Sequence, residues 1–136
     1  MAHYILTTVL REGTWGTDLD GKAKIPSIIE YPTVGFEQAI NYTRFIYISQ
    51  KSFKKTEKAM AREDIYDSDI YYIYVGCKSK NDLFALIERI RNILIEATVP
   101  QYTTFWLEPM EISSQHGKWV ASGIVRGELY GGVSNG

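Results

Sequence analysis

The turn at Gly76-Cys77-Lys78-Ser79 holds the residues best suited to chemistry, because an alternating apolar run ends there and helical spacing begins. A phosphate-binding loop needs several glycines, so that backbone N–H groups converge, and a Lys directly before Ser or Thr at the helix start. This turn has Lys78 before Ser79 but only one glycine. We therefore interpret Ser79 as the N-cap of a helix, with Asp82 completing an S-x-x-D capping box.

Cys77 is the second candidate, as a nucleophile. A helix N-terminus and the neighbouring Lys78 would both lower the pKa of its thiol. A catalytic cysteine also needs a general base, and the chain has only His3 near its start and His116 in a predicted turn. We interpret Cys77 as a small buried residue at a strand end.

Metal and acid–base sites are equally poorly supported. One cysteine and two histidines exclude an internal disulfide and a multi-cysteine metal site. Asp18-Leu19-Asp20-Gly21 resembles half of a calcium loop, but Ser27 stands where the bidentate Glu belongs, so a turn is the better interpretation. The carboxylates of "REDIYDSD" form a charge run of the kind that is normally solvated. We expect no cofactor and no enzyme active site.

Composition indicates one ordinary globular domain. The chain has 136 residues, 45% hydrophobic and 23% charged, with a net charge of -1. Such a balance provides no global attraction to nucleic acid or an anionic membrane. No apolar run approaches the about 20 residues that cross a bilayer, and the start lacks a signal-peptide pattern, so we expect a soluble, non-secreted protein. The aromatic content, ten Tyr, five Phe and three Trp, suits sheet faces and subunit interfaces equally.

The elements that would position these residues can be read along the chain. We predict a short helix within residues 1–12, although residues 4–10 also suit a strand, and an extended arm over residues 13–42. Pro26 and Pro32 bias the arm to extended backbone, and Ile25, Ile28 and Ile29 would anchor it.

Residues 43–131 form the predicted core, followed by a loose tail at 132–136. The alternating run "TRFIYISQ" and the apolar run "IYYIYVGC" predict two strands. A helical apolar stripe follows Ser79 and ends by Pro100. Two further strands form a predicted hairpin with its turn at residues 114–117, and Gly123 and Gly127 suggest a bulge or a close backbone approach in the last strand.

Residues 51–69 are predicted to be an exposed charged loop, because their apolar content is too thin for a core element. Basic residues come first and acidic ones later. We assign its charged side chains to a protein–protein interface: Lys51, Lys54, Lys55, Lys58, Arg62, Asp64, Asp67 and Asp69.

Together these elements predict a two-layer α+β domain. Its sheet would be four-stranded and mostly antiparallel, with helices packed on one face.

The run "YYIYVGCKSKNDLFALIERIRNILIE" followed by "WLEPMEISSQHGKWVASGIVRGELYG" resembles tail terminator and tail-completion proteins of the head–tail neck of long-tailed bacteriophages. The resemblance covers residues 43–131 and rests on element order. It implies a structural virion protein, assembled in the host cytoplasm, that forms a ring with identical subunits, commonly a hexamer. Its other partners would be the tail tube protein and a head-completion or adaptor protein, with DNA passing through the ring lumen.

Two alternatives remain open from the residues. A neck adaptor or tail-tube subunit is one. The other is a single-stranded nucleic-acid-binding domain, because "RFIYIS" and "YYIYVG" place aromatic residues on neighbouring strands, as in base-stacking sheets.

Overall fold

A computed structural model describes residues 4–16, 24–31, 35–56, 65–98, 102–115 and 117–129. Within them lie three helices and a six-stranded, mostly antiparallel sheet, which confirms the α+β prediction. The predicted count of four strands was wrong, because the arm adds β1 and one predicted strand is divided into β4 and β5. The predicted turn at residues 18–21, His3, His116, Pro32, Pro100 and the tail at 132–136 lie outside these ranges.

The elements follow one another without a second core. In chain order they are α1 (Ile5–Glu12), β1 (Ser27–Glu30), α2 (Phe36–Ala39), β2 (Phe45–Thr56), β3 (Ile65–Cys77), α3 (Lys80–Glu96), β4 (Tyr102–Leu107), β5 (Glu111–Gln115) and β6 (Lys118–Leu129). The sheet order is β1-β2-β3-β6-β4, and β5 also pairs with β6.

The arm contributes a strand and a helix that the prediction did not contain. β1 pairs in parallel with the start of β2, from Ser27↔Phe45 to Glu30↔Ile48. Ile28 and Ile29 are buried as predicted anchors, whereas Ile25 is 41% exposed. A four-residue strand is too short to show periodicity, and its pairing with β2 supplies the backbone partners that define it.

The predicted terminal hairpin is present, but its first strand is divided. β4 and β5 lie one after the other along the same edge of β6, separated by Glu108, Pro109 and Met110. Proline cannot donate a ladder hydrogen bond, so the break falls where such a bond would be missing. The backbone N–H of Glu108 still donates to the Ile124 carbonyl at 2.9 Å, which keeps the two pieces aligned.

The segment predicted as a charged loop is mostly strand, so that prediction is wrong. β2 runs to Thr56 and β3 starts at Ile65, and the two pair from Phe45↔Gly76 to Thr56↔Ile65. Each strand supplies the other's hydrogen-bond partners, which outweighs the thin apolar content of either segment.

Two helices cover one face of the sheet. α1 and α3 pack on Ile46, Tyr71, Ile73 and Val75 in the main core. The N–H of Tyr4 donates to Glu30 Oε1 at 3.0 Å and Arg11 Nη2 donates to the Ile28 carbonyl at 3.2 Å, which fastens α1 to β1.

The opposite face carries a smaller core under α2. Phe36 of α2 contacts the rings of Phe45, Tyr47 and Tyr74 at centroid distances of 6.4, 5.7 and 4.8 Å. Alternation along β2 separates the two cores, because Phe45 and Tyr47 point to one face while Ile46 and Ile48 point to the other.

Gly76 is required by the register between β2 and β3. A Cβ at this position would lie 2.2 Å from the Phe45 ring, which crosses its paired glycine. Gly76→Ala should therefore lower the free energy of unfolding in urea by about 1–3 kcal/mol through overpacking. Gly123→Ala is the matched control, because its Cβ would meet the flexible Met110 side chain at 2.9 Å and should cost less. Equal losses in the two variants would contradict this account.

Candidate functional site

The predicted interface residues divide between two antiparallel strands. Lys51, Lys54 and Lys55 lie on β2, and Asp67 and Asp69 lie on β3. The other three, Lys58, Arg62 and Asp64, lie outside the described residues.

Asp69 corrects one part of the interface prediction. It is 4% exposed, and its backbone pairs with β2 at Phe53 and with β6 at Gly127. A charge run in the sequence therefore did not mean that every side chain in it is solvated. Asp69 is not an exposed interface residue.

The change from basic to acidic sequence is accommodated inside one hairpin. The strand with Lys51, Lys54 and Lys55 lies beside the strand with Asp67 and Asp69. In the register between these strands, Lys51, Lys54 and Lys55 pair with Tyr71, Ser68 and Tyr66.

The hairpin formed by β2 and β3 extends past its neighbours in the sheet. β1 pairs with β2 only as far as Ile48, and β6 pairs with β3 only as far as Ser68. Among the described strands, residues 50–56 of β2 pair with β3 alone. We call the other side of that stretch the open β2 edge; its backbone N–H and C=O groups have no described strand beside them.

Two irregularities shape this hairpin. Register shifts fall between Ile48 and Gln50 and between Lys54 and Lys55. At the first, the Ser49 hydroxyl donates to the Tyr72 carbonyl at 3.1 Å. Such irregularities increase the local twist of a strand, and the first of them falls directly after the residue at which β1 ends its pairing with β2.

The aromatic residues proposed to stack bases are covered. Phe45 is fully buried and Tyr47 is 2% exposed beneath α2, while Tyr71 lies in the main core on the opposite face. Tyr72 is 36% exposed beside a shallow groove of about 350 Å³ that also includes Tyr74 and Ile124. Of these five rings, those of Phe45, Tyr47 and Tyr71 are buried, and those of Tyr72 and Tyr74 retain exposed surface.

Cys77 is a packed strand-end residue. It is fully buried in the main core, and burial raises the pKa of its thiol, although the nearby Arg44 guanidinium, which is hydrogen-bonded to it, opposes that rise. Ser79 Oγ accepts the N–H of Asp82 at 3.1 Å, which confirms the predicted helix cap. The turn before α3 thus uses its polar groups to begin the helix.

The described ranges contain no group of three or more His, Cys, Asp or Glu residues arranged to hold a metal ion. None of their helices combines the length and apolarity required to cross a membrane.

Neither the family models nor the curated proteins gave a match to this chain.

The raised pKa of Cys77 predicts a pH dependence of stability. Below its ordinary value of 9.0 the thiol is protonated in both states, and its stabilising contribution is fully present. As the pH rises further the unfolded chain loses this proton first, so the contribution is lost. The stability advantage of wild type over Cys77→Ala in urea unfolding should therefore shrink above about pH 9. An advantage that stays constant or grows with pH would contradict the burial argument.

Proposed function

We propose that the chain is a structural subunit of the head–tail neck of a long-tailed bacteriophage. In this proposal identical copies assemble into a ring that caps the tail tube and joins it to the head. The resemblance over residues 43–131 suggests this role, and the observation that carries the assembly argument is the open β2 edge.

A long strand edge without a partner favours pairing with another chain. Soluble proteins cover such edges, shorten them or use them for strand addition. Here the stretch of residues 50–56 lies beyond β1, and the hairpin that carries it extends past β6. Pairing with a neighbouring subunit would satisfy the outward backbone groups.

The sheet offers two different edges for a head-to-tail contact. The sheet edge away from β1 and β2 is formed by β4 and β5. If the open β2 edge of one copy pairs with β4 or β5 of the next, the contact joins two different surfaces. Such head-to-tail contacts close into rings when the rotation between copies permits.

The tail tube and a head-completion or adaptor protein are the further partners in this proposal. A ring carries two different ends, and each end would contact one of them. DNA would meet the assembly only as it passes through the lumen, and the protein would reside in the virion after assembly in the host cytoplasm.

The alternative of a single-stranded nucleic-acid binder gains less support. Base stacking needs accessible rings, and Phe45 and Tyr47 are covered by α2. The partly exposed ring of Tyr72 provides only a small surface for base stacking. A nucleophilic enzyme gains less support too, because burial of Cys77 disfavours its thiolate.

Shortening the hairpin tests the assembly step. Replacing residues 52–70 with Asn-Gly removes five of the seven residues of the open β2 edge but retains the pair Lys51↔Tyr71 and the pairs between β3 and β6 from Tyr71↔Val125 to Cys77↔Trp119. Asn-Gly suits a two-residue hairpin turn. The full chain should form a discrete oligomer by native mass spectrometry and rings by electron microscopy. The shortened chain should remain folded by circular dichroism but be monomeric.

Ile95→Asp is the control for this experiment. Ile95 is an exposed hydrophobic residue near the end of α3, away from the hairpin. This variant should assemble normally and cap purified tail tubes as wild type does. A monomeric wild type, or assembly lost in Ile95→Asp and kept in the shortened chain, would overturn the proposal.

A further inference from the structure

A second surface, separate from the open β2 edge, has side chains suited to binding a small ligand. A cavity of about 340 Å³ lies beside the first turns of α3. Its wall includes Lys24, Arg44 and Arg89, which come from three separate segments: the stretch before β1, the stretch before β2, and α3 itself. Asp82 is the acidic residue in this wall.

The positive charge of this cavity contrasts with the rest of the molecule. Among the described residues of its wall, three cations and one carboxylate give an excess of two positive charges, whereas the whole chain carries a net charge of -1. Within the described part of the chain, none of the three cations lies in salt-bridge distance of a carboxylate. Like charges held close together repel, and binding of an anion relieves that repulsion.

Arg44 is fixed in place by its own contacts. Its Nη1 donates to the Lys24 carbonyl at 2.5 Å, and its guanidinium also hydrogen-bonds Cys77. The Lys24 N–H donates to the Gly16 carbonyl at 3.1 Å, so the backbone that carries the lysine is held as well. The Arg44 guanidinium and the backbone of Lys24 are therefore positioned before any ligand arrives, which lowers the ordering cost of binding.

We propose that this cavity binds a phosphate-type oxyanion. The planar guanidinium groups of Arg44 and Arg89 match the oxygen geometry of phosphate, and Lys24 adds a point charge. The Asp82 carboxylate opposes the anion and moderates its affinity. A water molecule occupies about 30 Å³ of liquid, so the cavity has room for a phosphate and part of its substituent.

This site differs from a phosphate loop at the turn of residues 76–79. The Asp82 N–H is already taken by Ser79 Oγ, so the helix start is capped from within. The proposed donors are side chains brought together by tertiary packing. The phosphate could belong to a small molecule or to a nucleic-acid backbone, and both sources share the same recognition chemistry.

Titration with pyrophosphate at fixed physiological ionic strength tests the proposal. Binding is followed by calorimetry and by the NMR signal of the Trp15 indole N–H, which lies in the cavity wall and donates to the Leu10 carbonyl at 2.7 Å. We expect saturable binding. Arg89→Gln should weaken it about tenfold through loss of a charged hydrogen bond.

Two further variants make the result specific. Arg91→Gln removes the same charge from α3 at a position outside the cavity wall and should leave the affinity unchanged. Asp82→Asn should strengthen binding, an effect opposite in sign that loss of folding could not produce.

A short single-stranded oligonucleotide, titrated in parallel, identifies the source of the phosphate. Tighter binding of the oligonucleotide with the same response to Arg89→Gln and Asp82→Asn would assign the site to a phosphodiester. Response to pyrophosphate alone would assign it to a small phosphate compound. Absence of saturable binding by both probes, or equal effects of Arg89→Gln and Arg91→Gln, would overturn the proposal.

Discussion

The structure depends on the double pairing of β3. This strand pairs with β2 on one side and β6 on the other, and its alternate side chains enter the cores on both faces of the sheet. Tyr71, Ile73, Val75 and Cys77 meet α1 and α3, while Tyr74 meets α2. A slip of one residue would exchange these two sets, so burial on both faces specifies the register strongly.

That constraint is released toward the far end of the hairpin. β1 accompanies β2 only to Ile48, and β6 accompanies β3 only to Ser68. Beyond these residues the described pairing is between β2 and β3 alone. The pairing of β2 with β3 thus organises the core and also presents the open β2 edge outside it. The proposed assembly through this edge therefore has a structural basis in addition to the resemblance.

Arg44 connects the core with the cavity at the start of α3. Its guanidinium contacts Cys77 at the end of β3 and the Lys24 carbonyl before β1. Arg44 therefore links the end of β3 to the stretch before β1, and it also contributes positive charge to the cavity. The open β2 edge and the basic cavity involve separate residues, so substitutions can test the proposed assembly and the proposed anion binding separately.

Local patterns in the sequence correctly predicted the helix that begins after Ser79, the strands that contain Phe45 and Ile70, the burial of Cys77 and the α+β class. These depend on local spacing and capping, which are legible within one segment. The sequence also predicted the terminal hairpin, apart from the break at Pro109.

The features that the sequence did not predict depend on contacts between segments that are distant in the chain. β1 and the charged parts of β2 and β3 become strands because distant segments supply their hydrogen-bond partners, and neither periodicity nor charge reveals such pairing. The interface prediction took Asp69 as exposed, whereas this residue is buried and pairs with β6, more than fifty residues later in the chain. The convergence of Lys24, Arg44 and Arg89 left no sequence motif, since those residues are far apart in the chain and meet only where α3 packs against the sheet.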